Sequence, residues 1–479
     1  MGRLKSNFIY DAIYQLLILV IPFITTPYIA RTIGAEGVGI YSYTYSIVNY
    51  FMMFALLGMN TYGNREISKV LDKRDILNKT FSSIYLLQIS ITIIVSIIYL
   101  IYVLNFENKY FSIQIIQSIY LISVAFDINW LFCGLQKFKL TVTRSAFIKI
   151  ITLALILIFV KNENDLWKYT LILSVTTLFN QIVLWPFLKK EVKFVKVELK
   201  EVLKHLKPTL VLFIPVIAMS VYRVMDKIMI GKMVEVTQVG YYENAEKMLN
   251  IVLSVVGALG TVTLPEMTYL YNKGKKEEFY KIFRKSIEFI IFIVLPVIFG
   301  FLATADDLVY IYLGEKFIQS ATLLKILCFS LLFSPLAGII RMQLLIPRNK
   351  DMEYIVAVIF GAIVDFLLNL ILIKFYGAVG ASIATVIAEF VVLALQYIYV
   401  KNEIKLKFIT KSIFKFAISA LAMYIVVFFI GKYIEKVIVR LTIQIIIGIL
   451  IYFGCNIKYI NDMLNIKKIV KERKKSATE

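Results

Sequence analysis

Three charged residues interrupt an apolar stretch of membrane length, residues 208–242. Arg223, Asp226 and Lys227 are spaced so that Asp226 and Lys227 both lie one helical turn beyond Arg223. An ionised side chain near the bilayer midplane costs roughly 2.5–3.5 kcal/mol on insertion scales, so it faces protein or water and usually has a function. Two interpretations stay open: a self-compensating cluster that holds the fold, or a cluster whose net positive charge faces a cavity.

Other polar residues within or beside apolar runs extend this pattern, and cations predominate among them. Guanidinium and ammonium groups bind phosphate oxygens through charge-assisted hydrogen bonds, so the pattern favours an anionic substrate such as a lipid diphosphate carrying sugars. We predict a substrate-binding cavity formed by Arg31, Arg223, Asp226, Lys227, Lys325 and Arg341.

Three carboxylates are candidates for ion coupling or for pairing with a cation in the cavity: Asp127, Asp365 and Glu266. Asp365 is the strongest of them, and a plain interhelical hydrogen bond explains it equally well. The adjacent Arg65 and Glu66 are interpreted as an orienting ion pair at a helix end. The sequence contains no catalytic motif, phosphate-binding loop or Cys/His zinc pattern, so we expect no enzyme activity, no metal and no cofactor.

The composition is that of an integral membrane protein. Of 479 residues, 59% are hydrophobic and 18% charged, against about a quarter charged in soluble domains. The net charge of +21 does not indicate nucleic acid, because the basic residues form short clusters between apolar runs. The cysteines Cys133, Cys328 and Cys455 lack paired spacing, which argues against disulfides. The single histidine, His205, lies in a basic segment and is expected to be solvated.

About fourteen apolar runs are long enough to cross the hydrocarbon layer as helices, and they are arranged as six, six and two. Basic loops alternate with less basic ones, which predicts a multi-pass membrane protein with both termini in the cytoplasm. The runs lie near residues 8–30, 39–62, 81–104, 111–134, 142–160, 167–188, 208–231, 243–270, 286–305, 321–347, 352–373, 378–400, 413–431 and 438–457.

The chain is predicted to contain two related six-helix lobes. Residues 22–41 and 208–242 share prolines in an apolar helix, a basic residue, Ile-Gly and Gly-x-Tyr, with glycines suited to tight turns. Each lobe has an even number of helices, so the repeat is parallel, with a pseudo-twofold axis along the membrane normal. Pro22, Pro27 and Pro215 are predicted hinges. The predicted divisions are residues 1–190 (first lobe), 191–207 (basic cytoplasmic linker), 208–402 (second lobe), 403–457 (two further helices) and 458–479 (basic tail).

Several stretches, in order along nearly the whole chain, resemble the O-antigen and capsule repeat-unit flippases of the multidrug/oligosaccharidyl-lipid/polysaccharide flippase superfamily. One departure is that Cys133 and Gln136 stand where relatives often have Gln and Glu, which weakens any role for a carboxylate at position 136. The matching stretches are RTIGAEGVGIYSY from Arg31, YGNREI from Tyr62, DINWLFCGLQKF from Asp127, DKIMIG from Asp226 with VGYY from Val239, and LNLILIKFYGAVGASIAT from Leu368.

The resemblance implies two six-helix lobes around a central cavity. It also implies transfer of undecaprenyl-diphosphate-linked oligosaccharides from the inner to the outer leaflet by alternating access, driven by membrane potential or an ion gradient. Membrane lipids are partners, a polysaccharide polymerase is a candidate partner, and nucleic acid is not. The principal alternative is a multidrug cation antiporter of the same superfamily. A membrane glycosyltransferase or polymerase is disfavoured because no loop exceeds about twenty residues, and a scaffolding protein would not explain the charges within repeated helices.

Overall fold

The computed structural model describes the backbone of residues 2–106, 109–403 and 406–462. Within these ranges it describes the side chains except those of residues 2–19, 215, 218–219, 221–223, 258–259, 261–262 and 406. All the regular elements in this part of the chain are helices, which confirms the prediction of an all-α membrane protein.

Ten α-helices lie in the described residues between positions 2 and 233. Three of them are shorter than eight residues and connect longer ones. The helices are α1 (Gly2–Leu56), α2 (Met59–Ser68), α3 (Arg74–Phe106), α4 (Phe111–Ala125), α5 (Asn129–Gly134), α6 (Phe138–Phe159), α7 (Leu166–Ile182), α8 (Trp185–Glu191), α9 (Leu199–Leu203) and α10 (Leu206–Met233).

Eight further helices follow α10. A π-helical turn, Arg341–Leu345, continues α14 where the regular hydrogen-bond ladder widens. The helices are α11 (Val236–Asn272), α12 (Lys276–Tyr312), α13 (Gln319–Leu327), α14 (Ser330–Ile340), α15 (Asp351–Tyr376), α16 (Ala378–Val400), α17 (Leu406–Tyr433) and α18 (Val437–Cys455).

Ten helical spans in the described ranges are long and apolar enough to cross a membrane. Each of the fourteen predicted segments falls on a helical stretch, while the count of fourteen crossings stays a prediction. Large apolar side chains remain exposed along these helices, among them Ile93, Ile97, Ile101 and Leu104 of α3. A contiguous apolar surface of this kind marks contact with lipid. The chain is a multi-pass membrane protein.

The described residues group into two compact units. The first unit contains the residues up to 244 together with 365–381, and the second contains 245–364 together with 382 onwards. This grouping does not test the division into six, six and two helices, which stays a prediction.

The first long helix is broken at Gly34. This residue has φ 71° and ψ 180°, so α1 consists of two helical segments that correspond to the first two predicted crossings. A positive φ favours glycine because a Cβ would clash with the backbone. Pro22 and Pro27 lie within the first segment, and their role as hinges stays a prediction.

The stretches YGNREI and DINWLFCGLQKF pack together in the first unit. Met59, Tyr62 and Ile67 of α2 share one buried cluster with Trp130 of α5. A Cβ on Gly63 would lie 2.5 Å from the Trp130 ring, so glycine permits this approach. The Trp130 indole N–H donates to Gln88 Oε1 at 2.9 Å, which gives the buried indole a partner. These two stretches therefore have a structural role in joining α2, α3 and α5.

The linker lies against α2 and α3. The backbone N–H groups of Lys193 and Val195 donate to Asn78 Oδ1 (2.8 Å) and Ser82 Oγ (3.0 Å). The Phe194 ring lies 5.3 Å from that of Phe81. Side chains of α3 thus supply partners for linker backbone groups that a helix or sheet would otherwise satisfy.

The expectation that His205 is solvated is wrong. His205 is buried, its Nδ1 lies 2.6 Å from the Tyr62 hydroxyl, and its Nε2 lies 2.8 Å from Ser83 Oγ. Hydroxyl groups donate or accept as required, so they satisfy a neutral imidazole on both sides. The surrounding lysines gave the appearance of a solvated segment, whereas the fold turns this one side chain inwards.

We predict that His205 makes the protein sensitive to acid. Burial, and then the positive charge of Lys204, lower the pKa of His205 from 6.5 to about 4. The unfolded chain therefore binds the proton more tightly than the folded protein does. The neutral ring supplies its full stabilisation at pH values above the pKa of histidine in the unfolded chain. This stabilisation declines as the pH falls towards 4. His205→Gln keeps hydrogen-bonding groups and removes the titration. When the pH is lowered from about 7.5 to about 5, the midpoint temperature of unfolding should fall less for His205→Gln than for the parent protein. Identical pH dependence in the two proteins would contradict this role.

Candidate functional site

Lys227 forms an ion pair in the first unit. Its Nζ lies 2.6 Å from Glu243 Oε2, and each side chain is 15% exposed. Ser42 Oγ of α1 donates to the same carboxylate oxygen at 2.8 Å. The sequence left open whether Asp226 neutralises a neighbouring cation, and the structure pairs Lys227 with a carboxylate of α11. The pair therefore links α1, α10 and α11.

Asp226 belongs to a second buried network. Its Oδ2 accepts a hydrogen bond of 2.6 Å from the Tyr242 hydroxyl, and its Oδ1 accepts one of 2.7 Å from Asn369 Nδ2. The same amide nitrogen lies 3.2 Å from Asp365 Oδ2. Two predicted residues, Asp226 and Asp365, are thus brought together by Asn369. Both carboxyl groups are buried and lie within hydrogen-bond distance of the same amide nitrogen.

A cluster of tyrosines lies beside α1 in the same unit. The Tyr41 and Tyr120 hydroxyls are 2.9 Å apart, and the Tyr41 ring stacks on that of Tyr45 at 5.6 Å between centroids. The Tyr169 ring meets the Tyr41 ring edge-on at 4.9 Å. Such rings present an apolar body with a polar edge. A high tyrosine count was the only signal in the sequence, and this cluster could not be located from it.

The remaining predicted residues of the first unit have separate surroundings. Arg31 is exposed on α1. Asp127 is buried, and its Oδ1 accepts the backbone N–H of Asn129, two residues further on, at 2.9 Å, as in an Asx-turn. The side chains of Arg223 and Pro215 lie outside those that the structure describes.

Lys325, Arg341 and Glu266 belong to the second unit. Lys325 Nζ lies 2.5 Å from Asp306 Oδ2. Arg341 donates to the Tyr354 hydroxyl at 2.8 Å, and its guanidinium carbon lies 4.9 Å from the centre of that ring, as in a cation–π contact. Glu266 is exposed on α11. Their part in substrate binding or ion coupling stays a prediction.

Sequence reasoning missed the partners of these residues. Glu243 lies sixteen positions beyond Lys227 on the next helix, and Asn369 is uncharged. In the second unit, Gln343 of the π-helical turn donates to Thr263 (2.6 Å) and Ser286 (2.9 Å), and no spacing signal joins these three. The need for charge balance predicts that Lys227 has a carboxylate partner. It does not predict that this partner is Glu243.

An apolar groove of about 390 Å³ lies between α12, α17 and α18 of the second unit. Pro296 and Gly300 of α12 face Val427 of α17 and Leu441 and Ile449 of α18 across it. A Cβ on Gly300 would meet nothing within 4 Å, so the groove is open at this residue. It could hold a hydrocarbon chain.

Glycines of the two related stretches meet at the start of α11. A Cβ on Gly39 would lie 1.8 Å from Val236 O, and one on Gly240 would lie 2.1 Å from Ala35 O. Gly231 likewise leaves room for the Tyr43 ring. Of these related glycines only Gly34 has a positive φ, so the expectation of turn glycines is wrong at positions 39, 231 and 240. They permit close helix contact instead, as small residues do in membranes.

Replacing Gly240 by alanine is predicted to destabilise the protein. The added methyl group would overlap backbone atoms that cannot move independently, and overpacking costs typically about 1–3 kcal/mol. Gly257→Ala on the same helix is the control, because a Cβ there meets nothing within 4 Å. Thermal unfolding in detergent should show a lower midpoint for Gly240→Ala only. Equal midpoints for the two variants would contradict this packing.

Residues 4–270 match the family described as "Polysaccharide biosynthesis protein". A "Putative O-antigen transporter" of Escherichia coli (strain K12) is 24% identical over 407 residues, which are 84% of this chain and 97% of that protein.

Two solved structures have a similar fold. One is titled "Lipid II flippase MurJ, inward closed conformation"; it has a TM-score of 0.78 at 15% identity and covers 96% of this chain and 100% of its own. The other is a multidrug resistance MATE family transporter of the MOP superfamily in an inward-facing conformation. Its TM-score is 0.60 at 14% identity, over 83% of this chain and 95% of its own.

Proposed function

Since this chain belongs to the polysaccharide biosynthesis protein family, we propose that it is a flippase for lipid-linked oligosaccharides used in capsule, O-antigen or exopolysaccharide synthesis. The observation that carries this proposal is the alignment of the O-antigen transporter relative over almost its whole length. The protein is then a transporter and not an enzyme.

The finer features of the proposal follow from the chemistry of such a substrate. The carrier is undecaprenyl diphosphate, and the head group moves from the cytoplasmic to the outer leaflet by alternating access of the two predicted lobes. The protein lies in the bacterial inner membrane with both termini in the cytoplasm. The polyprenyl tail stays in the bilayer. A polysaccharide polymerase that extends the delivered units is the proposed partner.

Lys227 is the proposed ligand of the diphosphate in the first unit, together with Arg31. In the described structure Glu243 occupies the position that a phosphate oxygen would take, because both are anionic acceptors for the same ammonium group. Substrate binding thus exchanges one anion for another. Such exchange avoids leaving a buried ammonium unpaired, which would be costly in an apolar surrounding.

This exchange predicts opposite consequences for the two partners. Lys227→Ala removes a charge-assisted hydrogen bond, so transport of repeat units should fall by about tenfold or more. Glu243→Gln removes the competing anion and keeps the size of the side chain, so transport at low substrate concentration should be retained or increased. Surface polysaccharide should be measured in cells whose variant protein levels are equal. Equal loss of export in both variants would indicate a purely structural ion pair and would contradict the exchange.

Asp365 is the proposed coupling residue, because Asn369 holds it beside Asp226 where a proton or cation would relieve the repulsion between two carboxylates. Asp365→Asn should abolish the response of transport to an imposed proton or sodium gradient in proteoliposomes. Asp127→Asn is the control, because Asp127 accepts a local backbone hydrogen bond and should keep the response. If the Asp365→Asn protein responds to the gradient as the parent does, the coupling site lies elsewhere.

A multidrug cation antiporter remains the second candidate function. The similar fold of a multidrug resistance transporter and the buried pair Asp226 and Asp365, which could hold an organic cation, favour it. The family match favours the flippase. Efflux of a cationic dye from cells that express the protein distinguishes the two functions.

A further inference from the structure

A basic cavity of about 490 Å³ lies in the second unit, apart from the residues assigned above to transport. Its basic lining residues are Lys276, Lys281, Arg284 and Lys285 of α12, and its aromatic ones are Tyr280 of α12 and Phe408 of α17. Glu277 and Glu288 also line it, so cations outnumber carboxylates by four to two. The excess positive charge indicates an anionic ligand.

Helical spacing concentrates the positive charge on one wall of the cavity. Lys281, Arg284 and Lys285 stand at positions i, i+3 and i+4 of α12 and therefore share a face. The Arg284 guanidinium carbon lies 5.9 Å from the centre of the Phe408 ring, which orients this cation between the two helices. Among the described residues, no carboxylate forms an ion pair with Lys281 or Arg284.

The hydroxyl group of Tyr280 is held by a carboxylate whose charge an arginine neutralises. The Tyr280 hydroxyl donates to Glu403 Oε2 at 2.8 Å, and Glu403 forms an ion pair with Arg348. The Arg348 side chain is only 9% exposed, so this pair is well shielded from solvent. The negative charge nearest to Tyr280 therefore adds little repulsion towards an anion in the cavity, and the Tyr280 ring has a fixed position.

The pattern of α17 indicates the level of the membrane beside the cavity. Lys407 and Lys411 are exposed, and on the same face they are followed by the exposed apolar residues Phe414, Ile418 and Leu421. Charged residues followed by lipid-facing apolar ones mark the boundary between headgroups and acyl chains. The cavity, lined by Phe408, lies at the charged end of this face, which is predicted to be cytoplasmic.

We propose that this cavity binds the phosphate of an anionic membrane phospholipid whose acyl chains lie along the apolar face of α17. Basic pockets between helices on the cytoplasmic side suit such headgroups. The lipid is a resident of the leaflet and is distinct from the transported cargo. The proposal therefore does not depend on what the protein transports.

The test compares two double variants that lose the same charge. Lys281→Gln with Arg284→Gln changes the cavity, and Lys196→Gln with Lys200→Gln changes exposed residues of the linker. Binding of phosphatidylglycerol and of phosphatidylcholine to the purified full-length protein is measured by native mass spectrometry. Each basic residue near the surface contributes enough that losing two should weaken phosphatidylglycerol binding by about 30-fold. The linker variant should bind as the parent does, and Arg284→Lys should retain most of the affinity.

Three results would overturn the proposal. Equal weakening in the linker variant would mean that net charge and not the cavity attracts the lipid. Equal binding of phosphatidylcholine would mean that the anionic headgroup is not recognised. Competition by inorganic phosphate that matches phosphatidylglycerol in affinity would mean that the site takes free phosphate and not a lipid.

Discussion

The need to neutralise ionised groups inside apolar helices governs the first unit. Lys227 is tolerated there because Glu243 supplies a carboxylate as its partner. Ser42 in turn donates a hydrogen bond to that carboxylate. Breaking such a pair leaves an uncompensated charge, which costs much more than the pair itself contributes. The helices α1, α10 and α11 must therefore meet at this point, and the glycines at 39 and 240 allow their backbones to approach closely enough.

The proposed role of this pair in transport rests on the same constraint. A buried cation whose carboxylate partner is displaced by a different anion does not pass through an unpaired state. Nearby, Asp226 and Asp365 both contact Asn369, and the proposed coupling proton or cation binds at this second network. A site for an anionic substrate and a site for a coupling ion within one unit could influence each other through α10, which carries both Lys227 and Asp226. If both proposed sites act, their effects on each other's affinity are reciprocal.

Sequence patterns predicted the helices well, because hydropathy over twenty residues averages many small contributions. The family motifs were also visible, and the structure gives them physical roles: Gly63 admits the Trp130 ring, and Gly39 admits the backbone of α11. Partners distant in sequence were not predictable. Glu243 and Asn369 carry no local signal, and His205 appeared solvated because its neighbours are lysines while its contacts, Tyr62 and Ser83, come from other helices. Glycine identity alone could not distinguish a turn at Gly34 from close packing at Gly240.

The most direct test of the central claim is a transport measurement with purified protein in liposomes. A lipid-linked oligosaccharide with a diphosphate linkage is placed in both leaflets, and its exposure to an added glycan-modifying enzyme is followed over time. The account predicts that the protein makes the inner-leaflet pool accessible and that Lys227→Ala slows this transfer while Glu243→Gln does not. An inner pool that stays protected, in liposomes where the same protein exports a cationic dye, would contradict it.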